Sequence, residues 1–164
     1  MYQGQKLGKC RSVSFKLWID GDACPVVIKE ILFRAADKRE VETILVANQY
    51  VRTPPSKYIR SMQVATGFDA ADDEIVELLE AGDLVITSDI PLAADVLAKG
   101  GHALSPRGSM HTKENIKQRL NMRDFNESLR ASGINSRGPE AMNQSDRQQF
   151  ANQLDRFITK SKQG

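Results

Sequence analysis

Apolar side chains follow two alternating rhythms along this chain. Short runs that are apolar at nearly every position, 15–20, 41–47 and 84–87, read as strands covered on both faces. Between them lie longer stretches with a period near 3.6. In 25–38 the residues Val27, Ile28, Ile31, Leu32 and Ala35 make one broad apolar face, and Pro25 suits the first turn. A second helix is expected from a cap at Asp69 to about Glu80, and a third over 91–99, closed by Gly100-Gly101. Weaker strand signals fall at 62–66 and 102–104, the latter read as the final strand. Residues 48–58 form a loop broken by Pro54-Pro55-Ser56.

Strand and helix in alternation predict an α/β fold, three-layer α/β/α, with a largely parallel central sheet. The grammar changes after Pro106-Arg107-Gly108. Thr112 is placed to cap a helix through about Met122, which continues or restarts over 123–131. Residues 132–144 read as a linker. Ser145 opens a last helix, with Phe150, Leu154, Phe157 and Ile158 as its apolar stripe. The expected organisation is an N-terminal extension over 1–14, one domain over 15–158 that includes a C-terminal helical extension from about 109, and a tail over 159–164.

Length and composition narrow the classes. A chain of 164 residues suits one domain with its own core. No apolar run approaches the ~18 residues of a membrane span, and 1–14 lacks the apolar core of a signal peptide. Cys10 and Cys24 are too few for a disulfide framework and have no zinc-like spacing. The expectation is a cytoplasmic protein without a membrane partner. Charge is uneven: residues 19–105 carry 8 Lys/Arg against 15 Asp/Glu, a net −7, while the flanks carry +9. An acidic centre with basic flanks suits a polyanionic substrate held by a cation and by Lys/Arg at the rim, although a solvated surface of uneven composition has the same signature.

Three acidic clusters carry the candidate chemistry. Asp20 and Asp22 end the first strand, where the carboxyl edge of a parallel sheet opens a crevice for ligands. Two carboxylates this close repel unless a cation or a proton lies between them. Asp69, Asp72 and Asp73 open the second helix. Acids favour a helix N-terminus in any case, but at ~100° per residue Asp72 falls toward the apolar side defined by Ala71, Ile75 and Leu79, whereas Asp73 points away. Asp89 follows Thr87-Ser88 at the end of a second strand, the positional twin of Asp20, and also suits the cap of the next helix. Oxygen-only ligands favour Mg²⁺ or Mn²⁺ over Zn²⁺. Arg52, Lys57, Tyr58 and Arg60 surround the Pro-Pro loop and are candidates to hold phosphates or stack a base, with Arg107 on the far side. Cys24 reads as a small core or capping residue, and His102 and His111 as isolated structural residues.

Longer motifs carry a resemblance. Trp-Ile-Asp-Gly-Asp-Ala-Cys-Pro-Val-Val (18–27), Val-Ala-Asn-Gln (46–49), Gly-Phe-Asp-Ala-Ala-Asp-Asp-Glu-Ile-Val (67–76), Gly-Asp-Leu-Val-Ile-Thr-Ser-Asp-Ile-Pro-Leu-Ala (82–93), Ser-Pro-Arg-Gly (105–108) and Met-Arg-Asp-Phe (122–125) resemble the YaiI/YqxD family of bacterial proteins. That family is usually placed in the PIN-like nuclease superfamily. The resemblance implies a Mg²⁺- or Mn²⁺-dependent nuclease with RNA as partner. It implies catalytic roles for Asp20, Asp72, Asp73 and Asp89, with Thr87 or Ser88 as the neighbouring hydroxyl. Asp22 fits less well, since PIN-like proteins often carry a non-acidic residue near it. Two other readings stand beside the nuclease. One is a PIN-like module that binds RNA or protein with its metal site idle. The other is a phosphatase of the haloacid dehalogenase type, suggested by Ile19-Asp20-Gly21-Asp22 and Thr87, although Ala23-Cys24-Pro25 interrupts that pattern.

Overall fold

Strand β1 (Leu17–Asp20) is buried at every position, as a strand covered on both faces must be. The structure, a computed structural model, describes residues 15–21, 24–64, 70–131 and 142–163. Beyond β1 it comprises α1 (Val26–Arg39), β2 (Thr43–Ala47), β3 (Ile59–Gln63), α2 (Ala70–Leu78), β4 (Leu84–Ile86), α3 (Ile90–Ala98), β5 (His102–Leu104), β6 (Met110–His111), α4 (Ile116–Ala131) and α5 (Gln144–Gln163). The sheet order is β3-β2-β1-β4-β5-β6. All pairs are parallel except β5 with β6.

Because side chains alternate along a strand, the sheet divides the core in two. Leu17, Ile19, Leu45, Leu84 and Ile86 pack on one face with Ile28 and Leu32 of α1 and with Phe150, Leu154 and Ile158 of α5. Trp18, Ile44, Val46 and Val85 pack on the other with Ala71 and Ile75 of α2 and with Leu92, Ala93 and Val96 of α3. The expected three layers are therefore present. The stripe read in the last helix is also borne out: it covers the sheet beside α1, and Phe157 meets the Phe15 ring edge-on at 5.3 Å. No helix among the described residues is long and apolar enough to cross a membrane.

Four boundaries differ from the sequence expectation, each for a local reason. The strand expected at 62–66 runs from Ile59 to Gln63. It is an edge strand paired only with β2, so Arg60 and Gln63 stay exposed and blur the apolar signal. Pro25 precedes α1 in an extended conformation rather than lying in its first turn. Residues 102–104 are not the last strand, because a turn over 105–109 returns the chain as β6. Gly108 permits that turn: its φ is +91°, and a Cβ there would lie 2.6 Å from the Phe150 backbone nitrogen. Finally, the regular helix α4 is reached only at Ile116, through a first turn over 113–115 that Thr112 caps as expected. Thr112 and Asn115 exchange reciprocal bonds, Asn115 N–H to Thr112 Oγ1 at 3.1 Å and Thr112 N–H to Asn115 Oδ1 at 2.8 Å, which is a capping box just ahead of Ile116. The expected extension over 1–14 and most of the expected linker lie outside the described residues, as do Asp22 and Asp69.

Candidate functional site

Strands β1 and β4 are neighbours, yet the chain leaves them toward opposite edges of the sheet. Such a switch point opens a crevice at the carboxyl ends of the two strands. Their register, Leu17 beside Leu84 and Ile19 beside Ile86, brings Asp20 next to Thr87 one step further on. Both follow the alternation onto the face covered by α2 and α3. Asp20 is only 5% exposed and Thr87 only 1%. The Thr87 hydroxyl donates to Asp20 Oδ2 at 3.1 Å and accepts the Asp89 N–H at 2.9 Å. Asp89 in turn caps α3, its Oδ1 accepting the Leu92 N–H at 3.0 Å. One hydroxyl thus joins the Asp20 carboxylate to the Asp89 backbone, next to the carboxylate that caps α3. Behind Asp20, Gly21 donates its N–H to Val46 O at 2.8 Å, and a Cβ on Gly21 would meet the Leu45 side chain at 2.5 Å.

Beside this chain of bonds lies a cleft of about 310 Å³. Asp72 and Asp73, in the first turn of α2, face Asp89 and the start of α3 across it, and Arg123 of α4 closes one side. Asp72 is half-buried and Asp73 exposed, as the helical wheel required. Ser88 is exposed on the turn between Thr87 and Asp89. Asp95, in the middle of α3, is exposed and forms part of the cleft wall. Asp20 is not a wall residue; it reaches the cleft through Thr87 and Asp89.

The basic residues chosen from sequence are not brought here. Arg52 lines a separate cleft of about 720 Å³ between α1 and the Pro-Pro loop, on the α1 face of the sheet. Lys57 lies at the sheet's amino edge: the carbonyl of its neighbour Tyr58 accepts the N–H of Thr43, the first residue of β2, at 2.7 Å. Arg60, at the start of β3, pairs with Glu42 at 3.2 Å. Arg107 holds Asp146 at 2.7 Å and ties the β5–β6 turn to the start of α5. Arg123 is the cation at the acidic cleft, and sequence reasoning missed it. A signal was present: Ile116, Arg119, Leu120 and Arg123 fall at i, i+3, i+4 and i+7 on one face of α4.

His111 was set aside as structural, but it buttresses the site. Its Nε2 lies 3.2 Å from Thr87 O, and its Nδ1 lies 2.8 Å from Arg119 Nη1. Burial pushes its pKa down; the Thr87 carbonyl opposes that shift, and the nearby Arg119 charge adds to it. Cys24 offers no nucleophile, because burial pushes its thiol pKa up to about 12.

Oxygen donors dominate the site, which matches the chemistry of Mg²⁺ or Mn²⁺. Among the described residues no three His, Cys, Asp or Glu are grouped to hold one ion. A cation at this cleft would therefore be taken by one or two carboxylates, with other oxygen donors completing its shell.

Fold and site together define an α/β protein with carboxylates gathered at the switch point of a parallel sheet. Residues 18–160 match the family described as "Uncharacterized BCR, YaiI/YqxD family", and the chain belongs to it. Similar proteins, each called a UPF0178 protein, occur in Thioalkalivibrio sulfidiphilus (69% identity over 145 residues, 88% of this chain and 99% of that one), in Shewanella piezotolerans (65% over 148 residues, 90% and 97%) and in Colwellia psychrerythraea (65% over 147 residues, 90% and 97%). No solved structure matches the chain.

Proposed function

We propose that the protein is a Mg²⁺- or Mn²⁺-dependent nuclease that hydrolyses RNA phosphodiester bonds at the cleft between α2 and α3. The observation that carries this reading is the meeting of Asp72, Asp73 and Asp89 in one cleft, with Asp89 joined through Thr87 to Asp20. One or two of Asp72, Asp89 and Asp20 would hold the cation, with Asp22 near Asp20 in sequence. A bound cation supplies charge neutralisation at the phosphate and a more acidic water. Asp73, exposed at the cleft mouth, accepts a proton or orients water. Arg123 contributes a guanidinium that pairs with phosphate oxygens, the recognition its planar fork is suited to. Ser88 offers an exposed hydroxyl to the same oxygens. The basic flanks of the chain favour a polyanion over a small neutral substrate.

The test uses purified protein, Mn²⁺ or Mg²⁺, and a mixture of single-stranded and structured RNA. Asp89→Asn and Asp20→Asn are the controls. Asn caps a helix as well as Asp does, so the Asp89 variant keeps α3 while losing its charge. Metal-dependent cleavage that both substitutions abolish is expected. Cleavage surviving both would refute the proposal. RNA binding without cleavage would favour the non-catalytic module, and a phosphoaspartate trapped at Asp20 would favour the phosphatase.

A further inference from the structure

The bonds behind Thr87 point away from the cleft and into the protein, and they set out a second layer. Arg119 has only donors to offer, so His111 Nδ1 must accept from Nη1 at 2.8 Å. The ring proton then sits on Nε2 and is donated to the Thr87 carbonyl at 3.2 Å. Arg119 Nη2 also donates to Ser109 Oγ at 2.6 Å, which fixes the guanidinium against the β5–β6 turn. His111 is 3% exposed, so nothing in solvent substitutes for these partners.

We infer that Arg119 and His111 are positioning residues that hold the Thr87–Asp89 turn, and through it the relative placement of Asp20 and Asp89. Three elements form one line of bonds that ends on a single carbonyl. α4 supplies the guanidinium, β6 the imidazole, and the end of β4 the Thr87 C=O. The Thr87 hydroxyl, on the same residue, is the atom that joins the Asp20 carboxylate to the Asp89 backbone N–H. A rotation of residue 87 would break both of its side-chain bonds together. β6 has only two residues, and one of them is this histidine. Partners of this kind, which orient the groups that meet a cation, typically change affinity or activity by about 10–100-fold when removed.

The inference rests on the proposed reading of the Asp20–Asp89 edge as the reactive one, so its first test requires no activity. Hydrogen exchange at the Asp89 amide reports the bond to Thr87 Oγ1. In Arg119→Gln and in His111→Leu this amide should exchange up to about tenfold faster, the factor that loss of one hydrogen bond gives, with the Ala93 and Val96 amides inside α3 unchanged. His111→Gln keeps an N–H for the Thr87 carbonyl and should restore the wild-type rate. An unchanged Asp89 rate in Arg119→Gln and His111→Leu would overturn the inference. So would parallel acceleration across α3, which would mark a merely structural role. A Mn²⁺ titration of the same variants then reads the site itself, with affinity expected to fall by about 10–100-fold. If the wild-type protein binds no Mn²⁺, the metal-dependent reading fails, while the exchange data still decide the positioning role.

Discussion

Replacing Thr87 by Val or by Ser separates its hydroxyl from its shape. Val preserves the branched outline and removes Oγ1, and with it the donor to Asp20 Oδ2 and the acceptor for the Asp89 N–H. The bond to a carboxylate is worth about 1.5–3 kcal/mol and the amide bond about 0.5–1.5 kcal/mol. Burying a methyl in place of the hydroxyl returns about 0.8 kcal/mol. The net cost of Thr87→Val is then about 1–4 kcal/mol. Ser keeps both bonds and loses one buried methyl, so Thr87→Ser should cost only about 1 kcal/mol. Urea denaturation at pH 7 measures both, with m expected to stay constant because the exposed surface is the same. A cycle pairing Thr87→Val with Asp20→Ala should return a coupling energy of about 0.5–3 kcal/mol. If Ser destabilises as much as Val, or if the cycle shows no coupling, the hydroxyl does not bridge the Asp20 carboxylate and the Asp89 amide. The argument for a joined Asp20–Asp89 edge would then fall.

Asp83 is the counterpart of Asp20 at the opposite edge of the sheet. Its buried carboxylate accepts the Lys16 N–H at 3.0 Å, the Trp18 Nε1–H at 3.0 Å and the Glu80 N–H at 2.9 Å. Asp83→Ala should cost about 3–5 kcal/mol by leaving these donors without their acceptor, read as a lowered urea midpoint, while the proposed RNA cleavage by the folded fraction should be unchanged. Gly108→Ala combines a φ of +91° with a Cβ placed 2.6–2.7 Å from the Phe150 and Gln149 backbone. It should destabilise by at least about 2 kcal/mol and raise the exchange rate of α5 amides before those of β1. Acid should weaken the fold through His111 and His102, whose pKa values burial holds below the usual 6.5, aided at each by a nearby cation. The unfolded chain binds these protons at a higher pH than the folded one. The stability they contribute is therefore present above pH 6.5 and is lost as pH falls below it. His111→Gln should flatten that loss between pH 7 and pH 5 in a series of urea titrations.

The clarity of each part of the site in the sequence tracks how local its cause is. Asp20 and the Thr87–Asp89 turn were legible because a two-residue period and a parallel register suffice to bring strand ends together. Asp72 was legible from the rotation of a single helix. β3 and β6 were misread because an edge strand and a two-residue strand bury too little to show a pattern. Arg119, His111 and Arg123 depend on how α4 lies against the rest of the protein, which no window of sequence encodes. Their one local trace is that two arginines share a helix face with Ile116 and Leu120, a costly place for unpaired charge.

The misplacement of Lys57 has a different cause, because topology alone would have corrected it. Residues 48–58 join two adjacent parallel strands without a helix, so the loop must travel back the full length of the sheet. At about 3.3 Å per residue, a strand of this size spans about 17 Å. Residues that closely precede a parallel strand therefore lie at its amino edge, away from any crevice at the carboxyl ends. Lys57 and Tyr58 precede Ile59, and the pairing of Thr43 with the Tyr58 carbonyl places them at that edge. Only residues that follow a strand, or that return from a distant helix as Arg123 does, can reach the acidic cleft. Under the proposed function, a search for phosphate contacts therefore belongs on α4 and on the turn at Ser88.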